Sequence, residues 1–262
     1  MKKCYLLGIS AILLLFATSS AINAQESNRK LGTHNSMTYL KPDEGKDNKK
    51  IIKYMWALGK CQSLTYKQQY DFGVRLFDLR IRFINKTPCF AHGILEFTSE
   101  NAYTVLDYLN EKGDCSVIFA LENDEGIGTS QNEPFIELCK ECLEKYPNVH
   151  FTGGWAKYPG NHPTIYQFEG PGVARNELYK VFTKMNAALD DAKTKGKGDI
   201  KALISGIVEF AQMPEGFAKQ DNPGYWKEWL EDSSKENVIL MMDFVQIGAP
   251  DSWVKAHPIG KK

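Results

Sequence analysis

Residues 74–84 read VRLFDLRIRFI, a stretch in which apolar and polar side chains alternate. A period of two residues is typical of a β-strand, because successive side chains point to opposite faces. The alternation puts Asp78, Arg80 and Arg82 together on one face of the strand. A strand face with three charged side chains must contact water or a polar barrel interior. The alternative to a functional role is that these side chains form ion pairs that only support the structure. This strand therefore predicts a sheet with one strongly polar surface.

Apolar strands and amphipathic helices alternate on both sides of this stretch. Residues 115–123 (CSVIFALEN) and 237–248 (NVILMMDFVQIG) are strongly apolar and predict buried strands. Apolar residues recur at helical spacing between the strands, for example in residues 98–113. The alternation is typical of βαβ units. The predicted fold class is therefore α/β, a distorted TIM-type (β/α) barrel with parallel strands and surrounding helices. A doubly wound sheet is the alternative.

Single residues mark where several elements begin and end. We expect Ser63 and Ser99 to cap the amino ends of two helices and Gly113 to end the second of them. Residues 88–97 predict a short strand that runs into a loop, and residues 174–198 are predicted to be mainly helical.

Composition excludes several classes of protein. The chain has 262 residues, 43% of them hydrophobic, with 32 basic and 32 acidic side chains. These values exclude a disordered chain, a collagen and a coiled coil. Balanced charge argues against a nucleic-acid partner, which normally requires a basic excess. The sequence also lacks the glycine motifs of dinucleotide and nucleotide sites.

The first 24 residues have the layout of a secretory signal peptide. Lys2 and Lys3 precede an apolar run at residues 5–17, and small residues lead to Ala24. We expect cleavage after Ala24, with cleavage after Ala21 or a retained anchor as the alternatives. Residues 25–262 would then form a single secreted barrel, periplasmic or extracellular. Loss of the two lysines leaves 30 basic and 32 acidic residues, a net charge of −2.

Five cysteines remain after that cleavage, an odd number that leaves at least one thiol outside any disulfide. Cys139 and Cys142 form a CxxC pair inside a predicted helix. We interpret them as buried helix cysteines, because a redox CxxC stands at a helix start and no second metal-binding pair accompanies them.

Polar residues gather where the predicted strands end, the usual place for function in a parallel barrel. His34 and Asn35 lie in a short polar loop, and His92 precedes Gly93, where a substrate could approach the backbone closely. Asp243 closes a strongly apolar strand.

Two histidines, an arginine and a carboxylate suggest one reaction class. One imidazole can accept a proton from an attacking hydroxyl while the other donates a proton to a leaving oxygen. Arg80 could hold a phosphoryl group, and Asp243 could orient the basic histidine. The set fits cleavage of a phosphodiester without a metal.

An ordered series of motifs resembles the X-type catalytic domain of phosphatidylinositol-specific phospholipase C, closest to its small secreted bacterial, metal-independent members. The similarity covers residues 31–125 and 236–250. Its motifs are GTHNSMTY at 32–39, Ile-Lys-x-x-Trp at 52–56, YDFGVRLFDLRIRF at 70–83, His92-Gly93, VIFALEND at 117–124 and NVILMMDFV at 237–245.

The resemblance implies a role for each matching residue. His34 would be the general base, His92 the general acid and Arg80 the phosphoryl ligand, with Asp243 orienting His34. The products would be a 1,2-cyclic inositol phosphate and diacylglycerol. Asn35 departs from the metal-free members, which usually carry aspartate at that position.

The resemblance leaves the question of calcium open. Arg80 stands where calcium-dependent members of the family bind the ion. Because a guanidinium repels a cation, the resemblance favours a site without a metal cofactor. Asn35, Asp78 and Glu122 would be the ligands of the calcium alternative. On the metal-free interpretation, Glu122 pairs with Arg80 or contacts substrate hydroxyls, and Asp78 and Gly93 also bind substrate.

The expected partner is a phosphatidylinositol-type lipid or a related inositol phosphodiester, met during transient contact with a membrane surface. Candidate membrane contacts are the large apolar side chains of Tyr54, Met55 and Trp56 and of Tyr225, Trp226 and Trp229. Such side chains more often lie in the core or in a pocket wall, which is the favoured interpretation here. Two alternatives stay open: a non-catalytic barrel that binds inositol phosphate or glycan, and an enzyme for a glycosylated or soluble phosphodiester.

Overall fold

The computed structural model describes residues 29–43, 49–170, 173, 177–181 and 214–260. The predicted signal peptide and most of the predicted helix at 174–198 lie outside these ranges. Among the described residues, no helix combines the length and the apolar character that crossing a bilayer requires.

Eight strands and six α-helices form the described part of the chain. The strands are β1 (Leu31–Thr33), β2 (Val74–Ile84), β3 (Thr87–His92), β4 (Leu95–Phe97), β5 (Cys115–Leu121), β6 (Val149–Ala156), β7 (Leu178–Val181) and β8 (Ile239–Met242). The helices are α1 (Lys49–Gly59), α2 (Tyr66–Asp71), α3 (Ala102–Lys112), α4 (Asn132–Lys145), α5 (Pro214–Glu231) and α6 (Asp251–Ala256).

Six strands run parallel in the order β7-β8-β1-β2-β5-β6. Among the described residues, the first strand pairs with the last, and the other parallel strands follow one another around the sheet in chain order. This strand order is that of a barrel, whereas a doubly wound sheet reverses direction at its middle. The fold is thus the predicted distorted TIM-type barrel, and within the described residues its curled sheet is open between β6 and β7.

The β3-β4 segment differs from the prediction. Residues 88–97 form an antiparallel hairpin whose first strand pairs with the second half of β2, from Ile81 to Ile84. The hairpin turns at Gly93, which has a φ of +61°. His92 is therefore carried at a hairpin end next to β2.

Two predicted helix caps were wrong by two residues. Thr65, rather than Ser63, caps α2, where it exchanges hydrogen bonds with Gln68. Asn101, rather than Ser99, caps α3 by accepting from the amide of Tyr103. The predicted stop at Gly113 is confirmed by its left-handed φ of +76°.

The helical prediction for residues 174–198 was wrong at its start, because residues 178–181 form β7 and pair with β8. The four residues LYKV have no strong local preference for helix or strand. Pairing with the apolar β8 therefore determines that they form a strand.

The core lies between the sheet and the helices and contains many large aromatic side chains. Trp226 and Trp229 of α5 and Trp253 of α6 pack on one another there and are fully buried. For Trp226 and Trp229 the structure therefore confirms the core interpretation and excludes the membrane one. The indole of Trp56 is half-buried and donates to the carbonyl of Thr38. All five described cysteines are buried and free.

Candidate active site

The predicted site residues meet at the carboxyl ends of the parallel strands. His34 directly follows β1, Glu122 follows β5 and Asp243 follows β8. Asp78 and Arg80 lie within β2, on the strand face that the sequence pattern had made polar. Neighbouring strand ends therefore bring together side chains that are far apart in the chain.

His34 and Asp243 form a buried pair. The Nδ1 of His34 donates to Oδ1 of Asp243 at 2.8 Å. Because the carboxylate only accepts, the neutral imidazole carries its proton on Nδ1 and keeps a lone pair on Nε2. Gln62 locks the two strand ends by donating to the carbonyls of His34 and Met242. The arrangement is suited to a general base.

Asn35 contacts the base directly. Its Nδ2 donates to Nε2 of His34 at 3.0 Å, and its backbone N–H donates to Asp78 at 3.2 Å. The residue has a φ of +44°, in a left-handed region that asparagine tolerates better than most residues. In this structure the amide of Asn35 therefore occupies the lone pair on Nε2 of His34. A substrate hydroxyl would have to displace this hydrogen bond before His34 could accept its proton.

Arg80 lies in a cradle of acceptors and an aromatic ring. Its Nε and Nη2 donate to the two oxygens of Asp78 at 2.7 and 2.9 Å, and its Nη1 donates to Glu122 at 3.4 Å. The guanidinium carbon lies 4.5 Å from the ring centroid of Trp155. Burial alone would lower the pKa of Arg80, but Asp78 and Glu122 outweigh it and raise the pKa.

Three of the five N–H groups of Arg80 are thus used. One N–H on each terminal nitrogen makes no hydrogen bond to any residue that the structure describes. A guanidinium held flat by Asp78 and Trp155, with donors to spare, can bind an anionic oxygen without reorganising.

Glu122 is a buried junction, with 1% of its surface exposed. It accepts from the backbone N–H of Gly93 at 2.8 Å and pairs with Arg80 and with Lys157. Burial favours its neutral form, but Arg80, Lys157 and His92 outweigh that effect and lower the pKa to about 2. Glu122 is therefore ionised at neutral pH.

His92 lies opposite the base. Its Nδ1 donates to the carbonyl of Gly59 at 2.7 Å, which leaves Nε2 to exchange protons with a ligand. The ring centroids of His92 and His34 are 6.5 Å apart, close enough for both imidazoles to reach one phosphodiester. Burial lowers the pKa of His92 to about 4, although Glu122 opposes the shift.

One trio among the described residues has the spacing of a metal site. The ligand atoms of His34, Cys61 and Asp243 lie within 4.8 Å of one another. His34 and Asp243 are hydrogen-bonded to each other, however, and burial raises the pKa of the Cys61 thiol, so that it stays protonated. The set fits a metal ion poorly.

The calcium alternative also meets an obstacle. Its proposed carboxylates, Asp78 and Glu122, both hydrogen-bond to the guanidinium of Arg80. Any cation bound between them would lie against that positive charge.

Sequence reasoning missed four contributors to this site. Trp155, Lys157 and Gln62 gave no signal beyond their position near strand ends or in a loop. The fourth, the carbonyl of Gly59, is a backbone group at the end of α1, which no residue pattern could reveal.

Arg82, the third charged residue of the polar face of β2, also supports the site. Its guanidinium donates to the carbonyls of Glu122 and Gly93.

Comparison with known proteins yields matches only among solved structures. No family model matches the chain, and no curated protein matches it. A phosphatidylinositol-specific phospholipase C from Listeria monocytogenes is 15% identical, with a TM-score of 0.49 over 90% of this chain and 94% of that one. A variant of the phosphatidylinositol-specific phospholipase C from Staphylococcus aureus is 14% identical, with a TM-score of 0.48 over 89% of this chain and 92% of that one. The chain is thus similar in structure to bacterial proteins of that name along most of its length, at low sequence identity.

Proposed function

We propose that this protein is a phosphodiesterase that cleaves phosphatidylinositol-type lipids. One observation carries the proposal: a His34–Asp243 pair, a second imidazole and an arginine with spare donors meet at one end of the barrel. These groups are what the intramolecular cleavage of a phosphodiester requires.

The reaction begins with the inositol 2-hydroxyl. Its oxygen attacks the phosphorus, and its proton passes to Nε2 of His34 as the amide of Asn35 gives way. Asp243 stabilises the imidazolium that forms. Nucleophile and phosphorus belong to the same molecule, so the effective concentration of the nucleophile is high.

The bond between phosphorus and the glycerol oxygen then breaks. Nε2 of His92 gives a proton to that oxygen, and diacylglycerol leaves. Arg80 donates its spare N–H groups to the phosphoryl oxygens, where negative charge increases in the transition state. The other product is a 1,2-cyclic inositol phosphate.

Release of diacylglycerol from phosphatidylinositol in mixed micelles tests the activity. His34→Ala and His92→Ala should each lose about a hundredfold or more of kcat/KM, as expected for a lost general acid or base. His150→Ala is the matched control, because His150 is an exposed histidine at the opposite end of β6. Full activity in either site variant would refute the residue roles.

The same assay separates the proposal from a binding-only barrel. A protein that binds inositol phosphate but releases no diacylglycerol, with or without calcium, would be a binder. Phosphatidylcholine in place of phosphatidylinositol should give no product, because choline has no hydroxyl to attack the phosphorus.

We also propose that the protein is exported, on the layout of residues 1–24. A mature chain that starts at Gln25 in the medium or periplasm would support this. An uncleaved chain that stays with the cells would contradict it.

A further inference from the structure

A buried carboxylate beside an anion-binding site is an electrostatic cost that needs an explanation. Glu122 is ionised, almost fully buried and hydrogen-bonded to Arg80. Asp78 already engages Arg80 through both of its oxygens. Two carboxylates therefore share one guanidinium, and the excess negative charge would repel an anionic substrate.

Lys157 supplies the missing positive charge. Its ammonium pairs with the same oxygen of Glu122 that accepts the N–H of Gly93. Lys157 directly follows β6, and its own N–H donates to the carbonyl of Leu121 at 3.0 Å, which places it beside Glu122. Its side chain is 34% exposed, so the ammonium also stays partly hydrated.

We infer that Lys157 is a positioning residue that neutralises Glu122 and so keeps Arg80 available to the phosphoryl group. The end of β6 then supports Arg80 twice, through the ring of Trp155 and through the charge of Lys157. This role rests on the proposed function, which supplies the phosphoryl group that Arg80 would bind. It explains how the site can contain the buried carboxylate of Glu122.

The inference differs from direct binding of substrate by Lys157. If Lys157 acts by neutralising Glu122, its loss should matter only while Glu122 is charged. If Lys157 touched the substrate, its loss would matter whatever stands at position 122. A double-mutant comparison separates the two.

The experiment measures the affinity for inorganic phosphate by calorimetry in Lys157→Met, Glu122→Gln and the double variant. Lys157→Met should weaken phosphate binding about tenfold, because it leaves a buried charge without its partner. The double variant should return to within about threefold of the wild type. Gln can still accept the N–H of Gly93, so the hairpin keeps its anchor.

Lys140→Met is the matched control, because Lys140 forms an exposed pair with Glu137 on α4. Urea unfolding checks that each variant is folded. With phosphatidylinositol as substrate, Lys157→Met should raise KM more than it lowers kcat, and Glu122→Gln should reverse the change.

Two results would overturn the inference: Lys157→Met binding phosphate as the wild type does, or a double variant as weak as Lys157→Met. Failure of the wild type to bind phosphate would also overturn it. Phosphate binding requires no turnover, so the predicted affinities in a protein that leaves phosphatidylinositol intact would support the inference and refute the proposed function.

Discussion

At the scale of single residues, the site depends on which groups hold each imidazole. Asp243 and Asn35 hold His34 from its two nitrogens, and the carbonyl of Gly59 holds His92. The resemblance marks residue 35 as a departure, with asparagine where metal-free members usually carry aspartate. In the structure the amide of Asn35 hydrogen-bonds to Nε2 of His34.

The pKa of His92 gives a prediction for its titration. Burial lowers this pKa to about 4, so the free protein holds His92 mostly neutral at pH 7. A phosphoryl anion between the two rings would favour the protonated form and raise the pKa. We expect an NMR titration midpoint for His92 near pH 4 without ligand, and a higher midpoint with inorganic phosphate.

The same shift should appear in kinetics and in stability. A general acid must be protonated, so kcat/KM should fall as pH rises past the His92 midpoint of the free protein. The fall in kcat should come at a higher pH than the fall in kcat/KM, because bound substrate raises the pKa of His92.

The stability of the fold should also depend on this group. The unfolded state binds the His92 proton more tightly, so the free energy of unfolding should fall as pH drops from about 6.5 to the folded-state pKa. A ligand-free midpoint above 6.5 would contradict this account.

At the scale of elements, β6 directs its side chains by means of a bulge. Gly153 pairs with Phe119 and Trp155 pairs with Ala120, so Gly154 is an extra residue in the ladder. Gly154 has a φ of +69°, and its carbonyl accepts from the amides of Ile165 and Tyr166. The bulge changes the alternation along β6 just before Trp155 and Lys157.

Gly154→Ala tests the role of the bulge. A Cβ there would lie 1.9 Å from the carbonyl oxygen of Tyr166. Gly128→Ala is the matched control, because Gly128 has a similar φ of +61° with no atom within 4 Å of the added Cβ. In urea unfolding, we expect Gly128→Ala to cost about 1 kcal/mol, from backbone strain alone. Gly154→Ala should cost about 3 kcal/mol or more. Equal costs would show that the close approach does not matter.

Elements differ in how well the sequence predicts them. β2 and β5 were predictable because their own residues carry the period or the apolar run that burial requires. β7 was not, since pairing with β8 overrides its local preference. His34, Asp78, Arg80 and Asp243 were predictable as a group because parallel strand ends share one edge. Lys157 was not, because a lysine after a strand usually faces water.

At the scale of the whole molecule, near-neutral net charge conceals local order. Asp78, Arg80, Glu122 and Lys157 form a chain of alternating charge across the ends of three neighbouring strands. Arg80 lies between the two carboxylates and pairs with both, so its positive charge opposes the binding of a cation there. We therefore expect catalysis to be unaffected by EDTA and not increased by calcium.

The most direct test of metal-free intramolecular cleavage is the identity of the first product. Purified protein is incubated with phosphatidylinositol and EDTA, and the reaction is followed by ³¹P NMR. The account predicts that 1,2-cyclic inositol phosphate appears first, at a rate unchanged by added calcium, and that His34→Ala forms none. An acyclic inositol phosphate as the first product, or no cyclic product with or without calcium, would contradict it.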